Sequence, residues 1–275
     1  MKSINIGGNV VALDRPKVMG ILNVTPDSFY EGSRVQHIDA TLEVASQMLS
    51  EGADFLDIGG YSSRPGADDI AVSEEIHRVV EPIRQISAAF PEAILSIDTF
   101  RSEVAVAAIE AGAHIINDIS GGHLDEAMHS VAGHMRVPYI GMHMRGTPQT
   151  MKQLAQYDDL LTEIGKYFAE MVDSLQKEGV KDIILDPGFG FAKTVDHNFQ
   201  LLDAFEYFRF LELPLLAGLS RKSMIYKTLE ISANNALNGT TVLNTVALLR
   251  GADILRVHDV KEAVQTIALI NRLGP

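Results

Sequence analysis

The sequence predicts an α/β protein, namely a TIM (β/α)8 barrel with a short N-terminal β-hairpin, in one domain over residues 1–275. Three observations indicate this fold. The length of 275 residues is close to the roughly 250 that are typical of such barrels. Short apolar runs alternate with segments of helical spacing, which predicts parallel strands joined by right-handed crossovers. About eight of these runs end at a polar or charged residue, as expected where strand ends carry the chemistry.

The polar residues that end the apolar runs are spread along the whole chain. The runs end, in order, at Asn23, Asp57, Asp98, Asn117-Asp118, His143, Asp186, shortly before Arg221-Lys222, and at His258. The most informative run begins at Ile183 and stops at Asp186, where a proline and two glycines then force a turn. A carboxylate at this position is costly to bury unless it meets a hydrogen-bond donor.

Between the strands, apolar residues at helical spacing predict eight helices. We place them near residues 38–51, 73–89, 102–111, 125–133, 158–178, 197–209, 234–250 and 260–272. Before the first barrel strand, the segment from Ser3 to Leu13 alternates around two glycines, which predicts a hairpin that plugs the bottom of the barrel. The alternative is a doubly wound open sheet, because the pattern does not show whether the sheet closes.

The composition limits the classes of function. Lys and Arg number 23 against 36 Asp and Glu, so the net charge of −13 argues against nonspecific binding to nucleic acid or to an anionic membrane. An anionic substrate therefore needs a local cluster of cations. The absence of cysteine excludes disulfides and thiolate catalysis and fits a reducing cytoplasm, where we expect the protein. We find no signal peptide, and no apolar run approaches the roughly 20 residues of a transmembrane helix.

Three strand-end residues form the first candidate site. Asp98, Asn117 and Asp186 end separate strands and therefore converge on the mouth of the predicted barrel. Taken singly, each is also explained as a cap of the following helix or as an anchor of a loop. Together they suit a flat heterocycle that carries amino and ring N–H donors, because a carboxylate can accept two such bonds side by side.

The second candidate site is cationic. Arg64 lies in Gly-Gly-Tyr-Ser-Ser-Arg-Pro-Gly, and Arg256 and His258 alternate on the last strand, so both point the same way. Hydroxyls, backbone N–H groups and guanidinium together predict an anion site, whereas the alternative, a surface ion pair, contributes little. Asn23, at the end of the first strand, either joins these residues or helps to hold a hydrated Mg²⁺ ion bridged to phosphate oxygens.

Lys222 has three alternative interpretations. The first is a solvated charge, and the second is a hydrogen-bond donor to a ligand. The third is a Schiff-base nucleophile, and only this one requires a lysine with a depressed pKa. The glycine and serine residues around it favour the role of hydrogen-bond donor.

Two other features are interpreted as structural. His143 has no second histidine at a metal-binding spacing and is interpreted as a histidine at a strand end whose hydrogen bonds are satisfied. The aromatic cluster from Phe205 to Phe210 is interpreted as core or as a subunit contact.

Taken in order, the motifs of the chain closely resemble those of the dihydropteroate synthase family over nearly its whole length. The motifs are Asn23-Val-Thr-Pro-Asp-Ser-Phe, Arg64-Pro-Gly, Ser96-Ile-Asp-Thr, Asn117-Asp-Ile-Ser-Gly-Gly, Met142-His-Met, Asp186-Pro-Gly-Phe-Gly-Phe, Ser220-Arg-Lys-Ser and Arg256-Val-His-Asp-Val. The resemblance implies a TIM barrel, usually dimeric, that joins 6-hydroxymethyl-7,8-dihydropterin diphosphate to 4-aminobenzoate and releases pyrophosphate in folate synthesis.

The resemblance also implies a role for individual residues. The pterin ring would be held by Asp98, Asn117, Met142, Asp186 and Lys222, and the diphosphate by Asn23, Ser63, Arg64, Arg256 and His258. The 4-aminobenzoate pocket would be formed by Phe29, Pro65, Phe191, Lys222 and Ser223. Asn23 would contact Mg²⁺, the expected cofactor, and Asp98, Lys222 and Arg64 would be the catalytic residues.

The placement of charge predicts a dissociative mechanism. If pyrophosphate leaves first, Asp98 stabilises the methylene cation while Mg²⁺ and the cations stabilise the leaving group. The neutral arylamine then attacks without a strong general base.

The chain departs from the family pattern at Tyr61-Ser62-Ser63, where the family usually has Glu-Ser-Thr. This change affects the geometry of the loop more than the reaction.

Three other functions compete with this one. A methyltetrahydrofolate-binding methyltransferase shares the pterin barrel but needs no diphosphate site, so Arg64, Arg256 and His258 count against it. A non-catalytic pterin-binding paralogue is disfavoured by the intact loop motifs. A Schiff-base aldolase would use Lys222, and borohydride would then trap the substrate on that residue.

Overall fold

The computed structural model describes residues 2–25, 34–62 and 69–273, with the backbone alone for 34–37. The strands are β1 (Ser3–Ile6), β2 (Asn9–Ala12), β3 (Lys17–Asn23), β4 (Phe55–Gly59), β5 (Ile94–Asp98), β6 (Ile115–Asp118), β7 (Tyr139–Met142), β8 (Ile183–Asp186), β9 (Leu216–Ala217) and β10 (Ile254–Val257). The helices are α1 (Arg34–Ser50), α2 (Val72–Ala89), α3 (Ser102–Glu110), α4 (Met128–Met135), α5 (Leu160–Lys177), α6 (Val195–Asp203), α7 (Ser223–Thr228), α8 (Leu237–Leu249) and α9 (Val260–Ile270). Among the described helices, none combines the length and apolar character that a membrane span requires.

Strands β3 to β10 form one parallel sheet that closes into a barrel. Their order is β8-β7-β6-β5-β4-β3-β10-β9. The two ends of this series meet through a parallel bridge between Leu185 and Leu215. The Leu185 N–H also donates to the carbonyl of Pro214 at 2.9 Å. The prediction of a barrel is therefore confirmed over the open-sheet alternative.

The N-terminal hairpin closes the bottom of the barrel, as predicted. Strands β1 and β2 pair antiparallel, with Ser3 opposite Ala12. Three buried hairpin-segment residues pack on one inward-facing apolar residue near the start of each barrel strand. These are Ile4, Ile6 and Leu13, against Met19, Phe55, Ile94, Ile115, Ile140, Ile184, Leu216 and Ile254. Because this end is apolar and filled, polar chemistry is confined to the opposite end, where the strands terminate.

The residues between these positions point outward and pack against the helices. Leu56, Leu95 and Ile116 are fully buried in this outer layer. Helix α2 shows the matching pattern, because its buried residues Val79 and Ile83 recur at helical spacing. The period of two along each strand thus divides every strand between the barrel interior and the helical shell.

Two elements differ from the sequence prediction. The predicted helix 197–209 ends at Asp203, and the chain continues as the 3-10 helix Phe205–Leu211. Helix α7 was not predicted, because its six residues are too few to show an apolar period. Short 3-10 helices also lie at Met151–Leu154 and Ala233–Asn235.

Candidate active site

A polar layer lies directly above the apolar plug. Two residues beyond each plug residue, the same strand again points inward. These positions hold Ile21, Asp57, Ser96, Asn117, Met142, Asp186, Gly218 and Arg256. Asp98 follows Ser96 by a further two residues and stands opposite Asn117 on the neighbouring strand. The acids and the amide that were predicted to converge therefore share one pocket at the mouth of the barrel.

Arg256 lies inside this pocket, among the acids. Its Nε donates to Oδ2 of Asp57 at 2.6 Å, and its Nη2 donates to Oδ2 of Asp98 at 2.5 Å. Only 20% of the Arg256 side chain is exposed. We expected Arg256 beside His258 at the rim, but the two carboxylates hold its guanidinium deeper.

Asp57 connects these groups and was given no role from the sequence. It is fully buried, and its Oδ2 accepts from Asn117 Nδ2 at 2.9 Å as well as from Arg256. Its Oδ1 is buried without a hydrogen bond. The sequence did mark Asp57 as a strand-end acid. Its partner Arg256 is 199 residues away, so only the closed barrel brings them together.

The charges in this cluster perturb one another. Burial raises the pKa of Asp98 to about 7, with Arg256 opposing the shift and Asp57 adding to it. Burial also works against the charge of Arg256, but Asp57 and Asp98 outweigh it and raise the pKa of the guanidinium. Arg256 is therefore a fixed positive charge, whereas Asp98 can gain or lose a proton near neutral pH.

Asp186 and Lys222 form the second half of the pocket. Asp186 Oδ1 accepts the N–H of Gly188 at 2.8 Å, and burial raises the pKa of this carboxyl while Lys222 lowers it. Burial lowers the pKa of Lys222 to about 8, partly offset by Asp186. A Cβ atom added to Gly218 would lie 3.7 Å from Lys222 Nζ and 3.9 Å from Asp186 Oδ2, so both groups face the space above this glycine.

Lys222 also contacts the loop that follows β8. Its Nζ donates to the carbonyl of Phe189 and lies 5.0 Å from the centre of the Phe191 ring. These contacts do not fit a solvated surface charge. They fit a donor that is held at the edge of a ligand pocket.

The loop after β8 requires glycine at two positions. Gly188 has φ +72° and Gly190 has φ +84°. At Gly188 a Cβ atom would lie 2.1 Å from the carbonyl oxygen of His143, which no side chain tolerates. The glycines that were predicted to break the strand therefore let the loop pass close to the end of β7.

Met142 supplies an apolar wall to the pocket. It is 3% exposed and belongs to a small cluster with Ile119, Met144 and Ala192, against which Phe191 packs. Flat apolar surface beside two carboxylates and an amide suits a heterocycle with polar edges and an apolar face.

His258, Asn23 and Ser223 lie nearer the rim. His258 is exposed, and its Nδ1 lies 3.0 Å from Ser220 Oγ. A Cβ atom on Gly59 would lie 3.8 Å from Asn23 Oδ1 and 3.6 Å from Asp98 Oδ2, which places both oxygens around this glycine. Ser223 is the first residue of α7 and is half-buried. The predicted residues Phe29, Ser63, Arg64 and Pro65 lie outside the described residues.

Comparison with known proteins identifies the family. A family model described as "Pterin binding enzyme" matches residues 19–258. The dihydropteroate synthase of Escherichia coli (strain K12) is 40% identical over 265 residues, which cover 96% of this chain and 93% of the relative. The chain belongs to the dihydropteroate synthase family of pterin-binding enzymes.

Solved structures of this family share the whole fold. The Yersinia pestis dihydropteroate synthase, solved with a sulfonamide drug, superposes with a TM-score of 0.93 at 39% identity and covers 99% of each chain. The Xanthomonas albilineans enzyme, solved with 4-aminobenzoic acid, gives a TM-score of 0.91 at 37% identity, covering 98% of this chain and 97% of that one.

Tyr61, where this family usually has glutamate, is a packed residue. It is 8% exposed, and its ring meets that of Phe100 edge-on with centroids 5.0 Å apart. Gln149 donates to its hydroxyl at 3.1 Å, and burial raises the pKa of the phenol. The guanidinium of Arg101 lies 5.1 Å from the Tyr61 ring and pairs with the buried Glu75 at 2.9 Å.

Proposed function

We propose that this chain condenses 6-hydroxymethyl-7,8-dihydropterin diphosphate with 4-aminobenzoate to give 7,8-dihydropteroate and pyrophosphate in folate biosynthesis. One observation carries the proposal. Asp98, Asn117, Asp186 and Lys222 converge on one pocket, in a chain that is 40% identical to a dihydropteroate synthase over nearly its full length. As a transferase of this family, the chain needs a heterocycle site next to a site for a leaving anion, and the pocket offers both kinds of group.

The pterin ring binds through its polar edges. The amino and ring N–H groups of the pterin donate to Asp186, and Asn117 and Lys222 complete the edge with donors. Met142 packs on the face of the ring. This arrangement is supported by the positions of Asp186 Oδ2 and Lys222 Nζ, which both face the space above Gly218. The Gly188 N–H satisfies only part of the buried Asp186 carboxylate, so a ligand that donates further hydrogen bonds to it gains affinity.

Bond breaking precedes bond formation. The carbon–oxygen bond to the diphosphate ionises, the electron pair leaves with pyrophosphate, and Asp98 stabilises the methylene cation. Because Arg256 pairs with Asp98 at 2.5 Å, a diphosphate bound near His258 competes for this guanidinium. That competition frees Asp98 Oδ2 to face the reacting carbon, and the developing cation replaces Arg256 as the positive charge that favours the ionised carboxylate. The arylamine nitrogen then attacks, and its proton goes to solvent.

Mg²⁺ fits the residues at the mouth. Within the described ranges, no group of three or more His, Asp and Glu side chains is arranged to hold a metal. Mg²⁺ needs no such cage, because it keeps several waters and binds through one or two protein ligands and substrate phosphates. Asn23 supplies one amide oxygen beside Asp98. When bound, the ion neutralises charge on the departing diphosphate.

The remaining roles rest on the motifs. Ser63 and Arg64 join Arg256 and His258 on the diphosphate, and Arg64 is catalytic because it meets charge that develops on the leaving group. Phe29, Pro65, Phe191, Lys222 and Ser223 form the 4-aminobenzoate pocket. The placement of Lys222 Nζ 5.0 Å from the Phe191 ring supports a pocket wall shared by these two residues.

We further propose a homodimer in the cytoplasm that binds neither nucleic acid nor membrane. Exposed apolar side chains on the neighbouring helices α8 and α9 support the dimer. Val242, Leu249 and Leu269 are 52%, 60% and 72% exposed. Exposed apolar side chains on neighbouring helices are a common mark of a subunit contact. The cysteine-free composition supports the location, and the net charge of −13 counts against the two polyanionic partners.

The decisive experiment is one assay. The purified protein is mixed with the pterin diphosphate, 4-aminobenzoate and Mg²⁺, and 7,8-dihydropteroate is measured by chromatography and mass spectrometry. A sulfonamide should compete with 4-aminobenzoate. Asp186→Asn should abolish the product, whereas the control Asp203→Asn, at a carboxylate whose side chain is 81% exposed, should not. A folded wild-type protein that forms no product refutes the proposal, and borohydride trapping on Lys222 would favour the aldolase instead.

A further inference from the structure

Lys193 is a buried lysine at the end of the loop after β8. Its exposed fraction is 9%. Its Nζ lies 3.0 Å from the carbonyl oxygens of Gly188 and Phe191, 3.0 Å from Nδ1 of His143, and 3.5 Å from the His143 carbonyl oxygen. The proposed function gives this residue no role, although burying a lysine is costly.

Two lysines divide the carbonyl groups of this loop. Lys222 binds the carbonyl of Phe189, and Lys193 binds those of Gly188 and Phe191. The backbone of the loop is held at further points. The Gly190 N–H donates to Asn198 Oδ1 at 2.6 Å, and the hydroxyl of Tyr157 donates to the Ala192 carbonyl at 3.0 Å. A loop held by hydrogen bonds at this many points has one conformation rather than several.

The attachment of the loop to Lys193 does not depend on the charge of the lysine. Burial lowers the pKa of Lys193, and it also lowers the pKa of His143, so the imidazole is neutral. A charged ammonium donates to the two loop carbonyls and to His143 Nδ1. A neutral amine keeps the two carbonyl bonds and accepts from an Nδ1–H instead. In both states the nitrogen ties the loop to the end of β7.

We propose that Lys193 is a positioning residue for the proposed reaction, because it sets the position of the Asp186 carboxylate and the Phe191 ring against the pterin. The path is short. Asp186 Oδ1 accepts the Gly188 N–H, and the carbonyl of the same Gly188 is bound by Lys193. If the nitrogen is lost, the loop relaxes and the carboxylate loses its fixed orientation. The affinity for the pterin then falls by more than the loss of overall stability would explain.

The absence of cysteine allows a rescue experiment. Because the chain has no cysteine, a Lys193→Cys variant can be alkylated at that position alone. Unfolded Lys193→Cys is treated with 2-bromoethylamine, which restores a lysine-like nitrogen, or with 1-iodopropane, which gives an apolar side chain of equal length. Both samples are refolded in the same way. Dissociation constants for the pterin diphosphate are then measured by calorimetry without 4-aminobenzoate.

The expected result is recovery with nitrogen only. The aminoethyl sample should bind the pterin within about threefold of wild type, and the propyl sample about tenfold more weakly or worse. Lys193→Met, which is expressed without refolding, should likewise raise KM for the pterin diphosphate about tenfold while changing kcat less. The destabilised control Ile267→Ala, in the core between α9 and the barrel, should lower the melting temperature and leave pterin affinity unchanged.

Two outcomes overturn the inference, and they are distinct from failure of the proposed function, on which it rests. Equal pterin affinity in the aminoethyl and propyl samples would show that the nitrogen does not matter. Pterin affinity that follows melting temperature in both Lys193→Met and Ile267→Ala would reduce Lys193 to a structural residue. A wild-type protein that binds the pterin but makes no dihydropteroate refutes only the reaction, because affinity still tests Lys193.

Discussion

At the scale of single residues, the site depends on a buried guanidinium that two carboxylates share. Asp57 and Asp98 both bind Arg256, and Asp57 also binds Asn117. This pairing explains how three charged groups tolerate the barrel interior, since a buried charge must be paired. Burial nevertheless raises the pKa of Asp98 to about 7, although Arg256 opposes the shift, so the charge of Asp98 responds to ordinary changes of pH.

The pKa of Asp98 predicts an acidic limb in the pH profile. Because this pKa is raised to about 7, Asp98 is protonated in the folded enzyme below that pH and cannot stabilise a cation. We expect kcat/KM to rise with pH through about 7. Asp98→Asn should lower kcat by roughly 10² to 10³ and should abolish the limb. If the limb persists in Asp98→Asn, it belongs to another group, such as the diphosphate of the substrate.

Asp57 is expected to support both stability and activity. Asp57→Asn leaves Arg256 with one carboxylate, and removing a partner of a buried ion pair costs about 3 kcal/mol or more. Urea unfolding should detect this loss, and kcat/KM should fall because Arg256 is no longer fixed. The matched control is Asp203→Asn, which breaks an ion pair with Arg250 at 2.7 Å on the surface. That change should cost less than about 1 kcal/mol, and equal costs would contradict the prediction.

At the scale of elements, the barrel has an apolar end and a polar end. The hairpin β1–β2 fills the bottom, and the polar side chains of the candidate site lie at the top. The loop after β8 then passes over the top, and its glycines allow the close approach to β7. Packing at one end and backbone conformation at the other thus determine where the pocket opens.

Gly188 should be far less tolerant of substitution than Gly179. Both have positive φ, +72° and +87°, so alanine strains the backbone at each by about 1 to 2 kcal/mol. Only at Gly188 does the added Cβ also meet an atom, 2.1 Å away, whereas Gly179 has nothing within 4 Å. We expect Gly188→Ala to lose pterin binding in calorimetry and Gly179→Ala to keep it. Similar binding by the two variants would show that the close approach is unimportant.

At the scale of the whole molecule, one closed sheet carries both the core and the site. Each strand of the barrel contributes to the plug and to the packing of the helices, and five of the eight also contribute a polar side chain directly above the plug. The surface is less uniform than the interior. Apolar side chains are exposed on α8 and α9, which is the observation that supports the proposed dimer.

The proposed dimer can be tested by a single substitution that places a charge in the apolar contact. Sedimentation velocity should give a mass of twice the chain mass of 30.0 kDa. Leu249→Asp should shift the protein to the monomer, because a charge placed in an apolar contact must be desolvated. The control Val10→Asp changes a residue that is 72% exposed on the hairpin and should leave the dimer intact. A monomeric wild-type protein, or a dimeric Leu249→Asp variant, would contradict the proposed contact.

Most of the fold was predictable because its signals are local. All eight barrel strands and the hairpin were predicted, because short apolar runs that end in polar residues indicate the barrel strands and alternation around glycines indicates the hairpin. Helix α7 was missed because six residues carry no period, and the 3-10 helix Phe205–Leu211 was merged with α6 for the same reason. Asp98 and Asn117 stand opposite each other on neighbouring strands, and parallel strands that end on the same side of a barrel are the reason why the sequence could group them with Asp186.

The sequence by itself determined the order of strands and helices, the end of the barrel that is polar, and the family. Only the tertiary structure decided that Arg256 pairs with Asp57 and Asp98, and that Lys193 holds the loop beside Asp186. The physical reason is distance along the chain. Local patterns set secondary structure, but a hydrogen bond between residues 199 positions apart depends on the register and closure of the whole sheet.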